Sequence, residues 1–395
     1  MRVLARRSAG EGVIYQDSGR GLWIYQVSYK DDQGARKRKK FAAKTRQAAM
    51  EKGNAFLIAK GARVDTTRAE MTVSTWVDEW LVNYAKPRLR PRTFEKYQSS
   101  FKCYILPKLG LTRLCDLNMQ QVQKHFNSLM MGGRLDGKGL APSTISAARR
   151  YFAQAIDDAV REGILMNNPV RMSKAPRILR KEIIVLDKFE IDNLLKMAGE
   201  IDHPFMSVMM PVLIAFAVRT GLRQGEVFGL KWEDVDFVNA CVMVKRSLAH
   251  VVGKGAVFQE TKTKTSRRRV LLMPEDIEML QKYREWQRKY ADDLGDVFEW
   301  HNLVFTSPFG APISPTNFSR RYFKPLVKKC RIADGFSFHC LRHTHATLLL
   351  QKGVNPKIVQ ERLGHSSIKV TMDTYSHVLP DMQKQAVEAL RELFL

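Results

Sequence analysis

Hydrophobic spacing changes period at Val73, and this change limits the fold more than any other feature of the chain. From there Val73, Trp76, Val77, Trp80, Leu81 and Tyr84 recur at i, i+3, i+4, i+7, i+8 and i+11, one face of a helix. Before it, Gly21 to Tyr29 is rich in aromatic and β-branched residues and ends on the turn sequence Asp31-Asp32-Gln33-Gly34, which reads as a strand. The basic run Arg36, Lys37, Arg38, Lys39, Lys40 leads into Phe41, and an amphipathic stretch follows from about Thr45 to Lys60. Three strands and a helix are therefore expected in residues 1–62, and a polar linker after them. Residues 71–173 predict a helical domain. Its later helices start near Thr93, Asn118 and Ser143, with Phe94, Tyr97, Phe101, Phe152 and Ile156 on inward faces. The fold class is mainly α with small β-sheets, an α+β chain.

Charge divides the chain in the same way. Its 395 residues carry a formal +25. Residues 1–180 hold 34 basic and 15 acidic side chains, a net +19, whereas 181–395 hold 31 and 25, a net +6. So uneven an excess points to a polyanion, with double-stranded nucleic acid ahead of an anionic membrane surface or simple solubility. The run from Arg36 to Lys40 is either a groove-binding sheet edge or a solvated hairpin. Arg149 and Arg150 on the fourth helix, and Lys174 and Arg177 in the basic connector to the next domain, are candidate phosphate contacts. The longest apolar stretch, Phe205 to Val218, is interrupted by Ser207 and Pro211 and falls short of the ~20 residues a membrane span needs. No apolar segment follows Arg6 and Arg7, as a signal peptide requires. Five scattered cysteines without a C-x-x-C fit a reducing cytoplasm. The sequence predicts no membrane association.

The chemistry-bearing residues gather in residues 182–395. Thr220-Gly221-Leu222-Arg223-Gln224-Gly225-Glu226 places an arginine and a glutamate three apart, where they can pair. Glu260 to Leu272 reads as a basic hairpin with Lys262 and Lys264 near its tip. Phe338-His339-Cys340-Leu341-Arg342-His343 opens a helix on which His339 and Arg342 share a face. Leu363-Gly364-His365 and Thr374-Tyr375 complete the set. Each cluster alone has a structural reading: an ion pair, a solvated turn, a surface tyrosine. Two nucleotide and metal readings fail. Gly132 to Gly139 resembles a phosphate-binding loop but has Gly139 where a hydroxyl is required, and it follows a helix. The histidine helix lacks the H-E-x-x-H of a zinc site. No metal and no cofactor are expected.

Together, two arginines suit the non-bridging oxygens of a phosphate, lysine and histidine can move protons, and a phenol can act as nucleophile. In their order and spacing these residues resemble the tyrosine recombinases, the integrase class of site-specific recombinases. The resemblance extends over the whole chain. It implies an arm-type DNA-binding domain over 1–62, a core-type helical domain over 71–173 and a mostly helical catalytic domain with a tail helix over 182–395. It further implies that Arg223 and Arg342 clamp the scissile phosphate and that Lys262, rather than Lys264, protonates the leaving oxygen. His339 is then the acid/base partner of Tyr375, His365 donates to a phosphate oxygen, Glu226 supports Arg223, and Tyr375 forms a 3′-phosphotyrosyl bond without ATP. The implied partners are arm-type and core-type DNA sites, a homo-tetramer on DNA from a free monomer, and possible excisionase and host DNA-bending proteins. Competing expectations are a relaxing or resolving enzyme of the same chemistry and a non-catalytic DNA-binding regulator.

Overall fold

The computed structural model describes residues 13–17, 21–30, 36–59, 66–134, 136–178, 183–251, 255–260, 267–375, 387, 390–392 and 394. Contacts divide the chain into two compact units, Met1–Leu179 and Arg180–Leu395.

The first unit opens with the expected sheet. Strands β1 (Val13–Asp17), β2 (Leu22–Lys30) and β3 (Arg36–Ala43) pair antiparallel in sequence order, and α1 (Arg46–Ala59) packs on β2 and β3. The register sets Tyr25 opposite Phe41 and Val27 opposite Lys39, with Tyr25, Val27 and Ala49 in a small core. Lys39 therefore lies on the α1 side, its ammonium 4.1 Å from the Phe56 ring centre. Arg38 and Lys40, paired with Ser28 and Gln26, lie on the other face because side chains alternate along a strand.

The helical part of this unit begins at α2 (Val73–Trp80), where Thr72 Oγ1 accepts the Thr75 N–H. A π turn, Leu81–Ala85, carries it on to Arg88. Helix α3 (Pro91–Ser100) passes through a second π turn, Phe101–Ile105, and α4 (Met119–Gly132) and α5 (Pro142–Arg161) follow. Trp76, Trp80, Phe101, Phe126 and Phe152 are fully buried between these helices. The two indoles are satisfied: Trp76 Nε1 donates to Ala155 O at 2.9 Å and Trp80 Nε1 to Asp158 Oδ2 at 2.7 Å. The glycine-rich segment joins α4 to α5.

The second unit is built around α7 (Pro204–Thr220), a helix apolar on nearly every side, buried at Phe205, Met206, Met209, Met210 and from Leu213 to Val218. Helix α6 (Lys188–Gly199) packs on it, capped reciprocally by Asp187 and Glu190. After the short α8 (Gln224–Phe228) come β4 (Val235–Asp236), β5 (Cys241–Val244), β6 (Arg246–Val251), β7 (Gly255–Glu260) and β8 (Arg268–Leu271). The expected basic hairpin is corrected here. Among the described residues β7 pairs with β6, and β8 pairs with β5 in a three-stranded sheet. Strands β7 and β8, on either side of the lysines, thus belong to different sheets instead of pairing with each other. Strand β6 escaped the sequence reading because Arg246, Ser247 and His250 interrupt its apolar pattern. Helices α9 (Pro274–Leu294), α10 (Phe338–Gln351), α11 (Pro356–Leu363) and α12 (Ile368–Tyr375) complete the unit. The expected tail helix over 380–395 falls largely outside the described residues. No helix among the described residues is long and apolar enough to cross a membrane.

Candidate active site

Three chain turns in the second unit converge on two arginines. Helix α7 ends at Gly221, Arg223 precedes α8, and α11 ends at Gly364 in the left-handed conformation, φ 67°. These ends expose carbonyls. Arg342 Nη1 donates to Gly221 O and its Nη2 to Leu363 O, both at 2.8 Å. Arg223 Nη2 donates to Gly364 O at 2.8 Å. Both guanidinium groups are thereby fixed by backbone. Arg342 is 2% exposed, and burial together with the charge of Arg223 pulls it down to about 9, so it remains a cation at neutral pH.

Glu226 is the counter-charge. It is 4% exposed, and it accepts both the Arg223 backbone N–H at 2.9 Å and Arg223 Nη1 at 2.8 Å. Its two oxygens also take a bidentate pair from Arg268, Nη1 at 3.1 Å and Nη2 at 2.8 Å. Burial alone would push the Glu226 carboxyl up. The hydrogen bonds and charge of Arg268, with the charge of Arg223, outweigh it and hold the group at about 2. Arg268 Nε donates in turn to Arg362 O at 2.7 Å, which ties β8 to α11. A Cβ on Gly364 would come within 3.0 Å of Arg268 Nη1, so both its φ and its neighbour favour glycine there.

Helix α10 supplies the histidines. His339 is exposed, with its ring edge-on to His343, centroids 4.8 Å apart. The protein packed against that ring, then Arg342 and Arg223, hold it below the usual imidazole range. His365 follows Gly364. Its Nδ1 lies 2.8 Å from Thr371 Oγ1, and burial with the charges of Arg342, Arg223 and Arg268 lowers it to about 4. His345 is buried deeper, with Nδ1 2.8 Å from Val218 O and Nε2 accepting from Arg362 Nε at 3.2 Å.

Tyr375 ends α12 and is 1% exposed, packed with Ala346, Leu350, Val359 and Leu363. The default of a surface tyrosine does not hold. Its hydroxyl lies 2.6 Å from Nδ1 of His343. Burial raises the phenol to about 12, and Arg342 offsets only part of that rise.

The structure thus brings together Arg223, Glu226, His339, Arg342, His365 and Tyr375. Lys262 and Lys264 lie outside the described residues. Sequence reasoning missed Arg268 and His343. The signal for Arg268 was strand alternation: Val270 is buried, so residue 268 shares its face while Arg267 and Arg269 are exposed. Among the candidate phosphate contacts, Lys37, Arg38, Lys39, Lys40, Arg150, Lys174 and Arg177 are exposed. Arg36 lies in β3. Arg149 differs from expectation: its Nε donates to Ser173 Oγ at 2.9 Å, and its Nη2 to the carbonyls of Arg171 and Ser173. It anchors the connector because these donors are already used there. Among the described residues, no group of three His, Cys, Asp or Glu could hold a metal ion.

A helical unit that starts with a small sheet, followed by a mixed unit gathering Arg, His, Arg, His and Tyr, defines the tyrosine recombinase class. Comparison with known proteins agrees. Residues 185–382 match the phage integrase family, and residues 72–130 match its N-terminal SAM-like domain. A "tyrosine recombinase XerC-like" protein of Caldanaerobacter subterraneus subsp. tengcongensis is 31% identical, over 96% of this chain and 98% of the relative. The ICEBs1 integrase of Bacillus subtilis is 29% identical, over 65% of this chain and 67% of its own. Among solved structures, the Tn1549 transposon integrase in complex with a circular intermediate DNA superposes with a TM-score of 0.68 at 21% identity. It covers 81% of this chain and 99% of that one. The chain belongs to the phage integrase family of tyrosine recombinases, enzymes of site-specific recombination.

Proposed function

We propose that this enzyme integrates and excises a mobile genetic element, cutting and rejoining double-stranded DNA through a 3′-phosphotyrosyl bond to Tyr375. The observation that carries this reading is the backbone anchorage of Arg223 and Arg342 beside a buried tyrosine. A guanidinium has five N–H donors. Each arginine spends two on protein acceptors, leaving three for phosphate oxygens and for the charge that builds on them in the transition state. Neutral His365 donates a further hydrogen bond to a phosphate oxygen. Lys262 gives the departing 5′ oxygen its proton. A free 5′-hydroxyl of another strand reverses the step, so the bond energy is conserved and no ATP is consumed.

Residues 1–62 bind arm-type DNA sites through β3, residues 71–173 bind the core site, and residues 182–395 carry out the chemistry. Several relatives support an element-borne role by name, the ICEBs1 and Staphylococcus phage L54a integrases among them. A similar fold, the lambda integrase, was solved as a tetramer bound to a Holliday junction. This supports a homo-tetramer on DNA. In this reading an excisionase and a host DNA-bending protein assist where direction is controlled. The test is a suicide substrate, nicked so that the released end diffuses away. Wild type is expected to trap a covalent protein–DNA adduct and Tyr375→Phe none. An adduct persisting in Tyr375→Phe would remove Tyr375 as the nucleophile.

A further inference from the structure

A tyrosine that attacks phosphorus must first lose its hydroxyl proton. Among the described residues, the hydrogen-bond partner of the Tyr375 hydroxyl is Nδ1 of His343, at 2.6 Å, with the two rings 5.7 Å apart between centres. His339, one turn earlier on α10, meets the ring of His343 and makes no hydrogen bond to that hydroxyl. In the Nε2–H tautomer, Nδ1 of His343 turns a lone pair to the phenol. Resting on the strand-transfer reading above, we propose that His343 takes the Tyr375 proton during cleavage and returns it during rejoining.

In cleavage the Oη–H bond breaks and its proton passes to Nδ1. The electron pair on Oη forms the new O–P bond. The P–O5′ bond breaks, and the departing oxygen takes a proton from the acid assigned to Lys262. In rejoining the incoming 5′-hydroxyl gives a proton back to that amine, and the departing phenolate recovers its own from the imidazolium. Protons and charge therefore balance over the cycle.

The groups facing His343 are His339 and Arg342 on its own helix, Tyr375 on α12, and His365 in the turn before α12; Cys340 on the same helix acts on Tyr375. Burial, His339 and Arg342 lower the ring to about 4, which leaves it an unprotonated acceptor at neutral pH. A bound phosphate narrows the gap to the phenol from both sides. Its negative charge offsets that of Arg342, which raises His343. The forming O–P bond draws electrons from Oη, which acidifies its hydrogen.

The experiment uses two suicide substrates, one with the natural 5′ oxygen and one with a 5′-bridging sulfur at the scissile position. Sulfur leaves without a proton, so the second substrate is indifferent to loss of an acid and sensitive to loss of a base. His343→Gln keeps a hydrogen-bonding side chain that cannot take the proton, and His343→Asn replaces it should Gln lower the melting temperature. The variant is expected to form adduct about 10²–10⁴-fold more slowly on both substrates, with DNA affinity unchanged. Its rate should climb with pH, because the phenol must then ionise unaided. A variant within about threefold of wild type, or a loss repaired by the sulfur substrate, would overturn the role of His343. Absence of adduct with wild type itself would instead defeat the strand-transfer reading.

Discussion

Glu226 serves two guanidinium groups with one carboxylate, and one of them, Arg268, is buried with it. Removing that charge leaves Arg268 uncompensated, so Glu226→Gln is expected to cost about 3–5 kcal/mol, read by denaturant unfolding at neutral pH. The sign with pH follows from its depressed carboxyl, about 2 in the fold against an ordinary 4.5. Stability from this group is fully present above the ordinary value and is lost as pH falls toward the folded value, a change of about 3 kcal/mol. The gap between wild type and Glu226→Gln should therefore narrow below pH ~4.5; a constant gap would mean that Glu226 acts through packing. Arg268→Lys keeps a cation but not the bidentate fork. It should slow adduct formation about 10²-fold while DNA affinity stays level, since Arg268 is held against Glu226 and the end of α11, which carry Arg223 and His365. Equal losses in binding and cleavage would contradict that indirect role. The Arg223–Glu226 pair was legible from sequence because its spacing is local. Arg268 was hidden in a run of three arginines, and His343 was hidden because its partner lies 32 residues away.

At the scale of elements, the site depends on how closely α8 approaches β6. A Cβ on Gly225 would lie 2.7 Å from the backbone oxygen of Leu248 and 2.4 Å from Ser247 Oγ. In an open helix, Gly→Ala would stabilise by up to about 1 kcal/mol. Here the β6–β7 hairpin has to shift, and α8 carries Glu226 with it. Gly225→Ala is expected to destabilise by about 1–3 kcal/mol and to slow cleavage at least tenfold. Ser247→Ala should not rescue it, because the Leu248 carbonyl still blocks the methyl group. Recovery in the double variant would show that the hydroxyl, not the backbone, sets the spacing. Element identity was readable wherever one helical face stayed apolar, as in α2 and α5. The π turns after Trp80 and Ser100 were not readable, because they preserve the apolar stripe while changing only the hydrogen-bond ladder. The pairing of β7 with β6 and of β8 with β5 was lost for a similar reason: strand pairing is non-local, and alternation within a strand does not name its neighbour.

For the whole molecule, the charge split of +19 against +6 gains a physical meaning from where the cations sit. In the second unit Arg223, Arg268 and Arg342 are bound to carbonyls or to Glu226, which suits them to one phosphate at a time. In the first unit Arg38 and Lys40 are exposed on the sheet face away from α1, where duplex phosphates can replace their counterions. The two sets should therefore fail differently. Arg38→Glu with Lys40→Glu is expected to weaken DNA binding and to flatten the plot of log affinity against log salt by about 1.8, two phosphates at ~0.9 each. Once bound at low salt, this variant should form adduct at the wild-type rate. Arg342→Lys should do the reverse, leaving the salt slope within error and removing most of the adduct, because a lysine cannot span two carbonyls and a phosphate together. Equilibrium titrations at three salt concentrations, paired with single-turnover trapping on the same DNA, separate the two. If Arg342→Lys flattened the slope as much as the β3 double variant, Arg342 would itself be a main DNA-gripping contact. The division of labour between the two units would then be wrong.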